Sequence, residues 1–560
     1  MEIIQNRVPA YLIIVLFATV GAQSLNAQTQ TLQTVQINLD EEHQTITGFG
    51  ASLAFYENWL TAHPNKAEIY DAVFSELSLD ILRVRNAHVY DSGMVGRVKE
   101  FAKAAEKSLG HPIDILVTSW GPPASLKSNN DRKNGGTLKY TVDNGKVKFD
   151  YAGFANWWNE SLDEYEANGI IPTYIGIQNE PDWKASYESC LLRPAELVNA
   201  TDTIAGYNKA LNAVYDTLMQ RVNPPKFLGP ECIGIGYNAV ENYINALDLS
   251  KLYGIGHHLY HGAEGGTVAN DPFTSSNYKK VGSFHPEVPR FQTEYSRADW
   301  YSLAAMMFQT LTQESAAAFL YWDLIWSEGG LVNLHFPWDR SRWTNSKGYN
   351  RTKDFYVFKH YSAFIHPGWK RIGTSLNSEQ IKTAAFISSS GDSATFVVIN
   401  RSETDSFKIR LQIPGVEINE GTVYSTTKDE DFATSDYLID TLLHLAPKSL
   451  NTVDLRISKV NTGFDNRQRT NKQAFLDVTN SPNPFSLATH FHFTSEENAN
   501  YSLEIFDITG SRVSSQKIGF YPAGIHQFTF SRKELNQGVY IYKLINSAGK
   551  TGKGRFVIAD

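Results

Sequence analysis

Cysteine is nearly absent from the 560 residues of this chain, where only Cys190 and Cys232 occur. Two thiols cannot build a disulfide framework or a cysteine-rich zinc site. One bridge between them is chemically possible, and the sequence does not decide whether it forms. The class of small secreted domains held together by several disulfides is therefore excluded.

An excess of basic residues is also missing. The chain has 51 Lys and Arg against 59 Asp and Glu, which gives a formal net charge of -8. Proteins that bind phosphate backbones need a basic surface. We therefore expect no nucleic-acid partner.

Long apolar runs are missing everywhere except at the N-terminus. Residues 8–22 are apolar, follow Arg7, and precede small residues with a cleavage point at Ala27-Gln28. The run is shorter than the roughly 20 residues that span a bilayer. The pattern predicts a signal peptide over residues 1–27 and a soluble mature protein outside the cytoplasm. An uncleaved anchor is the alternative.

Metal-binding and serine-hydrolase motifs are missing as well. His257 and His258 are neighbours on a predicted strand, so their side chains point to opposite faces. Neither they nor His261 and Glu264 belong to an HExxH motif or have a cysteine-rich partner. No G-x-S-x-G occurs in the region of the predicted barrel. We expect neither a metal nor another cofactor.

Two stretches of the chain end in a carboxylate. Residues 175–183 begin as an apolar run and reach Asn179 and Glu180, and residues 290–295 reach Glu294. Strands that end in such groups build the catalytic face of a (β/α)₈ barrel. A lone glutamate there is usually a solvated strand end, but two on different strands predict an acid/base pair acting on a glycosidic bond.

Strands and helices alternate along most of the chain, which predicts an α/β fold with a (β/α)₈ TIM barrel over residues 48–366. Eight strands are expected to begin near Ile46, Ile81, Ile115, Ile175, Phe227, Ile255, Phe291 and Ala318. Predicted helices cover Ala67–Leu77, Val95–Leu109, Phe149–Asn168, Asn199–Met219 and Tyr301–Ser315.

The sequence pattern changes after residue 366, where short segments of alternating apolar and polar residues follow one another. They predict an antiparallel β-sandwich over residues 367–458, a polar linker over 459–474 and a small all-β unit over 475–560. Aromatic residues make up 12% of the chain. Their flat apolar faces suit stacking on sugar rings, although they also fill cores.

Several motifs together resemble glycoside hydrolase family 30, over residues 36–457. They are Gly48–Gly50, Trp120–Pro123, Gln178–Asp182, His258–Tyr260, Thr293–Tyr295 and Lys347–Asn350. The resemblance implies a barrel with a β-side domain, which is built from an N-terminal strand within residues 28–47 and the segment after the barrel.

The resemblance also implies roles for individual residues. Glu180 would be the general acid and then the base, and Glu294 the nucleophile, with their carboxyls about 5–5.5 Å apart in a retaining enzyme. At that distance an ionised Glu294 disfavours ionisation of Glu180. Asn179 would contact the sugar 2-hydroxyl, Tyr260 would position Glu294, and Arg83 would pair with Glu294 or a neighbouring acid. Trp120 and Trp322 are expected as sugar platforms. The other expected substrate-site residues are His258, Trp326 and Tyr295. Ordinary barrel core is the alternative for Tyr260, Arg83, Trp120 and Trp322.

A pair of residues after strand eight limits the range of substrates that we expect. Glucuronoxylan-specific members of the family read a glucuronate with two arginines there, whereas this chain has Ile325 and Trp326. A neutral pair cannot make a bidentate carboxylate contact. We therefore expect a monomeric endo-β-1,4-xylanase without strict glucuronate dependence. Arginines that could substitute are Arg85, Arg340, Arg342 and Arg351. Alternatives are a β-1,6-glucanase, a β-xylosidase, a β-glucosidase or glucosylceramidase, and an inactive sugar-binding protein.

The last unit resembles a different family, the C-terminal sorting domain of type IX secretion, over residues 475–560. The matching pieces are Pro482–Phe485, Leu503–Asp507, Gly538–Tyr540 and Gly549-Lys550. This resemblance implies export by the type IX machinery of a Gram-negative bacterium of the Bacteroidetes type, to the cell surface or beyond. A carbohydrate-binding or spacer module is the alternative.

Overall fold

The computed structural model describes residues 32–263, 276–296, 299–437, 442–459, 476, 478–495, 497–508 and 511–559. The predicted signal peptide, nearly all of the predicted linker and Glu264 lie outside the described residues. The chain divides into two compact units, Met1–Asn461 and Thr462–Asp560.

The centre of the first unit is a closed barrel of parallel strands. Its strands are β1 Gly48–Ser52, β2 Ile81–Arg85, β3 Asp114–Thr118, β4 Tyr174–Gly176, β5 Lys226–Gly234, β6 Gly254–His261, β7 Arg290–Glu294 and β8 Ala318–Tyr321. The predicted barrel is therefore confirmed, and its strands follow one another around the barrel in chain order. Every residue of β1, β2 and β7 is buried, because helices cover the outside of the barrel and side chains fill its inside.

Helices connect the barrel strands. Their bounds are α1 Glu57–Ala62, α2 Lys66–Tyr70, α3 Met94–Leu109, α4 Tyr151–Ala167, α5 Tyr207–Leu218, α6 Ala239–Ile244, α7 Asn277–Ser283, α8 Trp300–Thr312 and α9 Lys353–Ser362. Short 3₁₀ turns lie at Ala124–Leu126, Leu249–Lys251 and Arg340–Arg342. The predicted helices at α3, α4 and α8 are confirmed to within a few residues.

Two predicted helices need correction. The helix expected over Asn199–Met219 begins only at Tyr207, because the Asn199 side chain accepts hydrogen bonds from the backbone N–H groups of Thr201 and Asp202 at 2.9 and 2.8 Å. Such a local turn competes with helix formation, and a small hairpin of Leu197–Val198 and Thr203–Ile204 precedes α5. The helix expected over Ala67–Leu77 is α2, which continues as a π-helix over Asp71–Glu76.

Short sheets border the barrel. Tyr140–Asp143 pairs with Lys146–Phe149, and a three-stranded sheet after β8 contains Ile325–Trp326, Val332–Leu334 and Tyr349–Arg351. The latter sheet, called the rim sheet below, lies directly after the last barrel strand and carries Trp326.

A nine-stranded sheet completes the first unit. Its strands in spatial order are Ala433–Asp436, Val416–Thr426, Ser449–Lys459, Ser393–Asn400, Ile381–Ile387, Lys370–Thr374, Leu32–Thr45, Phe407–Gln412 and Leu443–Leu445. The strands expected over residues 367–458 pair antiparallel with one another, as predicted. The strand before the barrel, Leu32–Thr45, enters the same sheet and runs antiparallel to Lys370–Thr374 and parallel to Phe407–Gln412.

The second unit consists of two antiparallel sheets. One contains Val478–Ser481, Ala488–Ser495 and Gly524–Ser531, and the other Ala499–Phe506, Arg512–Tyr521, Gly538–Asn546 and Thr551–Ile558. Rings from the two sheets meet in the core, where the Phe491 and Tyr542 centroids are 4.6 Å apart. The unit is therefore a small sandwich with its own apolar core.

Two further expectations concern single features. Cys190 and Cys232 are both buried and both free, so no disulfide bridge links them. Among the described residues, no helix is both long enough and apolar enough to span a membrane.

Candidate active site

Glu180 lies four residues after the end of β4, in a backbone conformation that few residues adopt. Its φ is 43°, in the left-handed region that is strained for a residue with a side chain. The Glu180 N–H donates to the backbone oxygen of Glu231 at 3.0 Å, which holds this conformation from the neighbouring strand β5. Strain of this kind is concentrated at functional sites, and here it fixes the direction of the carboxyl group.

Glu294 ends β7 and faces Glu180 across the barrel mouth. One carboxylate oxygen of Glu180 and one of Glu294 lie within 4.8 Å of each other. Both residues are nearly buried, with 3% and 5% of their surface exposed. This spacing is too short for a water molecule to attack between the two carboxyls, as inverting hydrolysis requires, and it leaves room for direct attack by one of them.

Arg83 on β2 connects the residues at the bottom of the site. Its guanidinium donates to Glu294 Oε2 at 2.5 Å, to Asn179 Oδ1 at 2.7 Å and to Glu231 Oε1 at 3.2 Å. Burial opposes the charge, but the Glu231 and Glu294 carboxylates raise the Arg83 pKa above its ordinary value. The guanidinium also lies 4.5 Å from the centre of the Trp120 ring. Arg83 is therefore a fully buried cation with acidic partners on two strands.

Glu231 is a third acidic residue in this network. Burial raises the pKa of Glu231, while the Arg83 guanidinium lowers it and nearby Glu294 raises it further. Its other oxygen lies 3.4 Å from the Thr118 hydroxyl, which donates to it. Glu231 is inaccessible to solvent, so it acts on the site only through Arg83 and its neighbours.

Two side chains of β6 contact the paired carboxyls. The Tyr260 hydroxyl donates to Glu294 Oε1 at 3.1 Å, and His258 Nδ1 lies 3.2 Å from Glu180 Oε1. Burial, with Glu294 nearby, raises the Tyr260 pKa well above its ordinary value, so the phenol keeps its proton. Burial lowers the His258 pKa to about 3, so the imidazole is neutral at working pH.

An aromatic cavity opens above the carboxyls. Its volume is about 670 Å³, and Glu180, Glu294 and Tyr260 lie in its floor. Its other lining residues are Phe55, Trp120, Arg132, Lys133, Trp183, Tyr187, Glu188, Ile233, His261, Trp322 and Trp326. Three of the indoles are those predicted from the sequence, and the Trp120 and Trp322 rings contact each other with centroids 5.6 Å apart.

Other predicted residues lie below or beside this cavity. Arg83, Asn179 and His258 form the layer under the carboxyls, whereas Tyr295 packs behind Tyr260 with ring centroids 5.3 Å apart. Tyr295 is 2% exposed and does not line the cavity. Like Arg83, Asn179 and His258 it lies outside the cavity lining, and its contact with substrate stays a prediction.

None of the four arginines considered as glucuronate readers lines the catalytic cavity. Arg85 forms a buried ion pair with Glu57 at 2.8 Å, and Arg351 pairs with Glu76. Arg340 and Arg342 lie over the rings of Trp343 and Phe336.

Sequence reasoning missed several residues of the site. The Tyr187 hydroxyl donates to Glu180 Oε2 at 2.7 Å, and Arg132 pairs with Glu188 at 3.2 Å in the cavity wall. These residues lie in the long loops after β3 and β4, where no periodicity marks a functional side chain. Glu231 did carry a signal, because an acid inside an apolar strand needs a partner.

Three residues of the site offer donor atoms that a metal could use. One atom each of Glu180, His258 and Glu294 lies within 4.8 Å of the other two. Carboxylates and imidazole are suitable ligands for divalent ions. However, Arg83 already donates to Glu294 at 2.5 Å, and its charge opposes a second cation at the same oxygen. The donor set therefore fits an acid/base pair better than a metal centre.

Comparison with known proteins finds relatives of this chain by sequence and by structure. The chain is 24% identical over 380 residues to "Glucuronoxylanase XynC" of Bacillus subtilis (strain 168), an alignment that covers 66% of this chain and 78% of that protein. The first unit also shares its fold with solved family 30 glycoside hydrolases. The catalytic domain of GH30 xylanase C from Talaromyces cellulolyticus superposes with a TM-score of 0.59 at 21% identity, over 76% of this chain and 100% of that one.

Another solved structure of similar fold is described as an enzyme that acts on a different polysaccharide. A solved endo-β-1,6-glucanase has a TM-score of 0.55 at 17% identity and covers 76% of this chain and 94% of its own. Residues 481–559 match a different protein family, which is described as the secretion system C-terminal sorting domain. This match indicates type IX secretion and a secreted or cell-surface location.

Proposed function

We propose that the chain is a secreted retaining glycoside hydrolase that cuts β-linked plant polysaccharide, as an endo-β-1,4-xylanase that does not require a glucuronate branch. The observation that carries the proposal is that one carboxylate oxygen of Glu180 and one of Glu294 lie within 4.8 Å of each other at the mouth of a barrel. That separation fits the retaining geometry and is below the roughly 6.5–9.5 Å of inverting enzymes.

Glu294 acts as the nucleophile in this proposal. Arg83 and Tyr260 each donate to one of its oxygens, so the carboxylate is fixed in direction. A fixed carboxylate loses little freedom when it attacks the anomeric carbon and forms the glycosyl-enzyme. The same donors stabilise the departing carboxylate when water hydrolyses that intermediate.

Glu180 acts as the acid that protonates the leaving oxygen and then as the base that activates water. His258 is neutral, and its Nε2 lies 3.9 Å from Glu294 Oε2. The negative charge of Glu294 favours a proton on Nε2, which leaves Nδ1 to accept a hydrogen bond from the Glu180 carboxylic acid. The neutral imidazole thereby keeps the Glu180 proton in place until it is transferred.

Asn179 is oriented for the sugar by Arg83. Because a guanidinium only donates, the Asn179 oxygen must face Arg83 and its amide N–H groups must face away. In this orientation the amide can donate to the sugar 2-hydroxyl, an interaction that strengthens in the transition state. Trp120, Trp322 and Trp326 offer ring faces for the apolar sides of the sugar units.

The preference for xylan without a required glucuronate follows from the cations of the cavity. Ile325 is buried and Trp326 lines the cavity with an uncharged ring. Arg132 also lines the cavity, and its Nη1 pairs with Glu188 Oε1 at 3.2 Å. A glucuronate carboxylate would therefore compete with Glu188 for the one described arginine of this cavity lining.

The experiment that tests this function is product analysis on a panel of substrates. The panel contains xylans with and without glucuronate branches, β-1,6-glucan, and aryl xylosides and glucosides, with Glu294→Gln as the inactive control. We expect endo-cleavage of both xylans. Cleavage of β-1,6-glucan or glucosides alone would contradict the assignment of xylan as the substrate. Cleavage only at glucuronate branches would contradict the proposed independence of glucuronate and would assign recognition of the branch to Arg132 or Lys133.

A further inference from the structure

A row of contacting aromatic rings leads away from the catalytic cavity. It begins at Trp326, whose ring centroid lies 4.4 Å from that of Tyr56. The Tyr56 and Trp59 centroids are 4.5 Å apart, and Phe336 follows 5.0 Å from Trp59. Trp338 ends the row, 5.1 Å from Phe336. These five residues are called the aromatic row below.

The end of the aromatic row is open to solvent. Trp338 is 58% exposed, although it is one of the largest apolar side chains of the protein. An indole that only filled the core would be buried. An exposed one that continues a line of rings from a catalytic cavity is a surface on which a ligand can stack.

A second cavity lies beside the aromatic row. Its volume is about 390 Å³, and Trp59 and Phe336 form its apolar wall. Ser327, Asn333, Thr344 and Asn350 bring hydroxyl and amide groups to its edge. Ring faces next to small neutral hydrogen-bonding groups are the chemistry that a sugar unit requires, since a sugar has apolar faces and hydroxyls around its edge.

The two cavities are built on the same strand pair. In the rim sheet Trp326 is the register partner of Asn333, and Trp326 lines the catalytic cavity whereas Asn333 lines the second one. Tyr56 joins them from the other side, since its ring contacts Trp326 and its hydroxyl donates to Ser327 at 3.1 Å. A chain that leaves the catalytic cavity past Trp326 therefore meets the second cavity next.

The charges of the second cavity favour a neutral ligand. Glu328 and Arg342 both lie at its edge and are opposite in sign. A phosphate-rich or strongly acidic ligand would meet Glu328, and a cationic one would meet Arg342. A hydrocarbon chain would leave the amide and hydroxyl groups without partners.

We propose that the second cavity and the aromatic row bind sugar units of the same polysaccharide chain that is cut in the catalytic cavity, several units away from the scissile bond. This inference rests on the proposed function. It adds that the enzyme distinguishes long chains from short ones, because only a long chain reaches from Glu294 to Trp338. The remote contacts position an internal bond of the chain, which is endo-cleavage.

The test compares Trp338→Ala with the parent enzyme on soluble xylan and on the shortest aryl xyloside or xylo-oligosaccharide that is cleaved. Trp338 is mostly exposed, so the variant is expected to fold. We expect the ratio of kcat/KM for the polymer to kcat/KM for the short substrate to fall roughly tenfold, as expected for the loss of one stacking platform. Tyr253→Ala, a partly exposed aromatic at the other end of the barrel, is the matched control and should leave the ratio unchanged.

A binding measurement makes the outcome decisive. In a Glu294→Gln background, calorimetry should show affinity that rises with oligosaccharide length, and Trp338→Ala should remove the gain of the longest oligosaccharides. An unchanged polymer-to-short ratio together with unchanged length dependence overturns the inference while leaving the proposed function intact. If the parent enzyme cuts none of these xylans, the proposed function fails and this inference fails with it.

Discussion

Replacing Arg83 with methionine removes the cation that three buried acceptors share. Arg83 and Glu231 are 0% exposed and Glu294 is 5% exposed, so the two carboxylates cannot be rehydrated without opening the barrel mouth. Removing one partner of a buried ion pair costs about 3–5 kcal/mol, because the remaining charge is left without compensation. We expect Arg83→Met to lower the free energy of unfolding of the barrel unit by that amount at pH 7.

The same reasoning predicts a coupling between Arg83 and Glu231. Glu231→Gln removes one of the two carboxylate charges that Arg83→Met leaves without a partner. Arg83→Met should therefore lower the free energy of unfolding by less in this background than in the parent. We expect the double-mutant cycle to give a coupling energy of at least about 1 kcal/mol. Urea unfolding followed by tryptophan fluorescence measures all four proteins, and the first unit supplies the transition because all 11 tryptophans of the chain lie in it.

Lys66→Met is the control for this cycle. Lys66 and Glu100 form an ion pair at 2.7 Å, but their side chains are 41% and 37% exposed, and such pairs contribute about 1 kcal/mol or less. If Arg83→Met costs no more than Lys66→Met, the network under the catalytic carboxyls is not stabilised by its charges, and the argument for a fixed Glu294 is wrong.

Further predictions concern the acid, the pH dependence of stability and export. Glu180→Ala should lose most activity on xylan and recover part of it with azide, which gives a glycosyl azide of retained configuration, whereas the absence of rescue argues against Glu180 as the acid/base. Burial, with Lys359 nearby, lowers the His360 pKa to about 3 from an unfolded value of about 6.5. The stability that the neutral His360 contributes to the folded protein is therefore fully present above pH 6.5 and is lost as the pH falls toward 3. Between pH 7 and pH 5 the free energy of unfolding should therefore fall by about 2 kcal/mol more in the parent than in His360→Gln. If it falls by the same amount in both proteins, the assignment of this pH dependence to His360 is wrong. A chain that ends at Lys459 should keep full activity on soluble and insoluble xylan yet fail to reach the surface of a host with type IX secretion, and selective loss on insoluble xylan would instead assign a substrate-binding role to the last unit.

The barrel could be predicted because its strands carry a local signal. Runs such as Ile115–Val117 in β3 are apolar and partly β-branched, and each is separated from the next by a helix or loop, so composition alone marks them. The pairing of Leu32–Thr45 with Phe407–Gln412 has no such signal, because it depends on where a strand before the barrel meets one after it. The helix boundary at Tyr207 was missed because Asn199 captures its own backbone in a turn.

The site was predictable to a similar extent. Glu180 follows the end of one buried strand and Glu294 ends another, and the barrel brings such positions to one face whatever their separation in the chain. Tyr187 and Arg132 lie in loops whose course is set by tertiary contacts, so nothing in their local sequence marks them. The contacts of Arg83 could be anticipated only as a need for a carboxylate, since the sequence does not say which acid supplies it.

The configuration of the first sugar released tests the central claim most directly. Proton NMR, recorded during cleavage of a soluble xylo-oligosaccharide and before mutarotation, resolves the α and β anomers of the new reducing end. A catalytic pair with oxygens within 4.8 Å predicts that the β anomer forms first, by double displacement through Glu294. If the α anomer forms first, hydrolysis is a single displacement by water, and the assignment of Glu294 as the nucleophile is wrong.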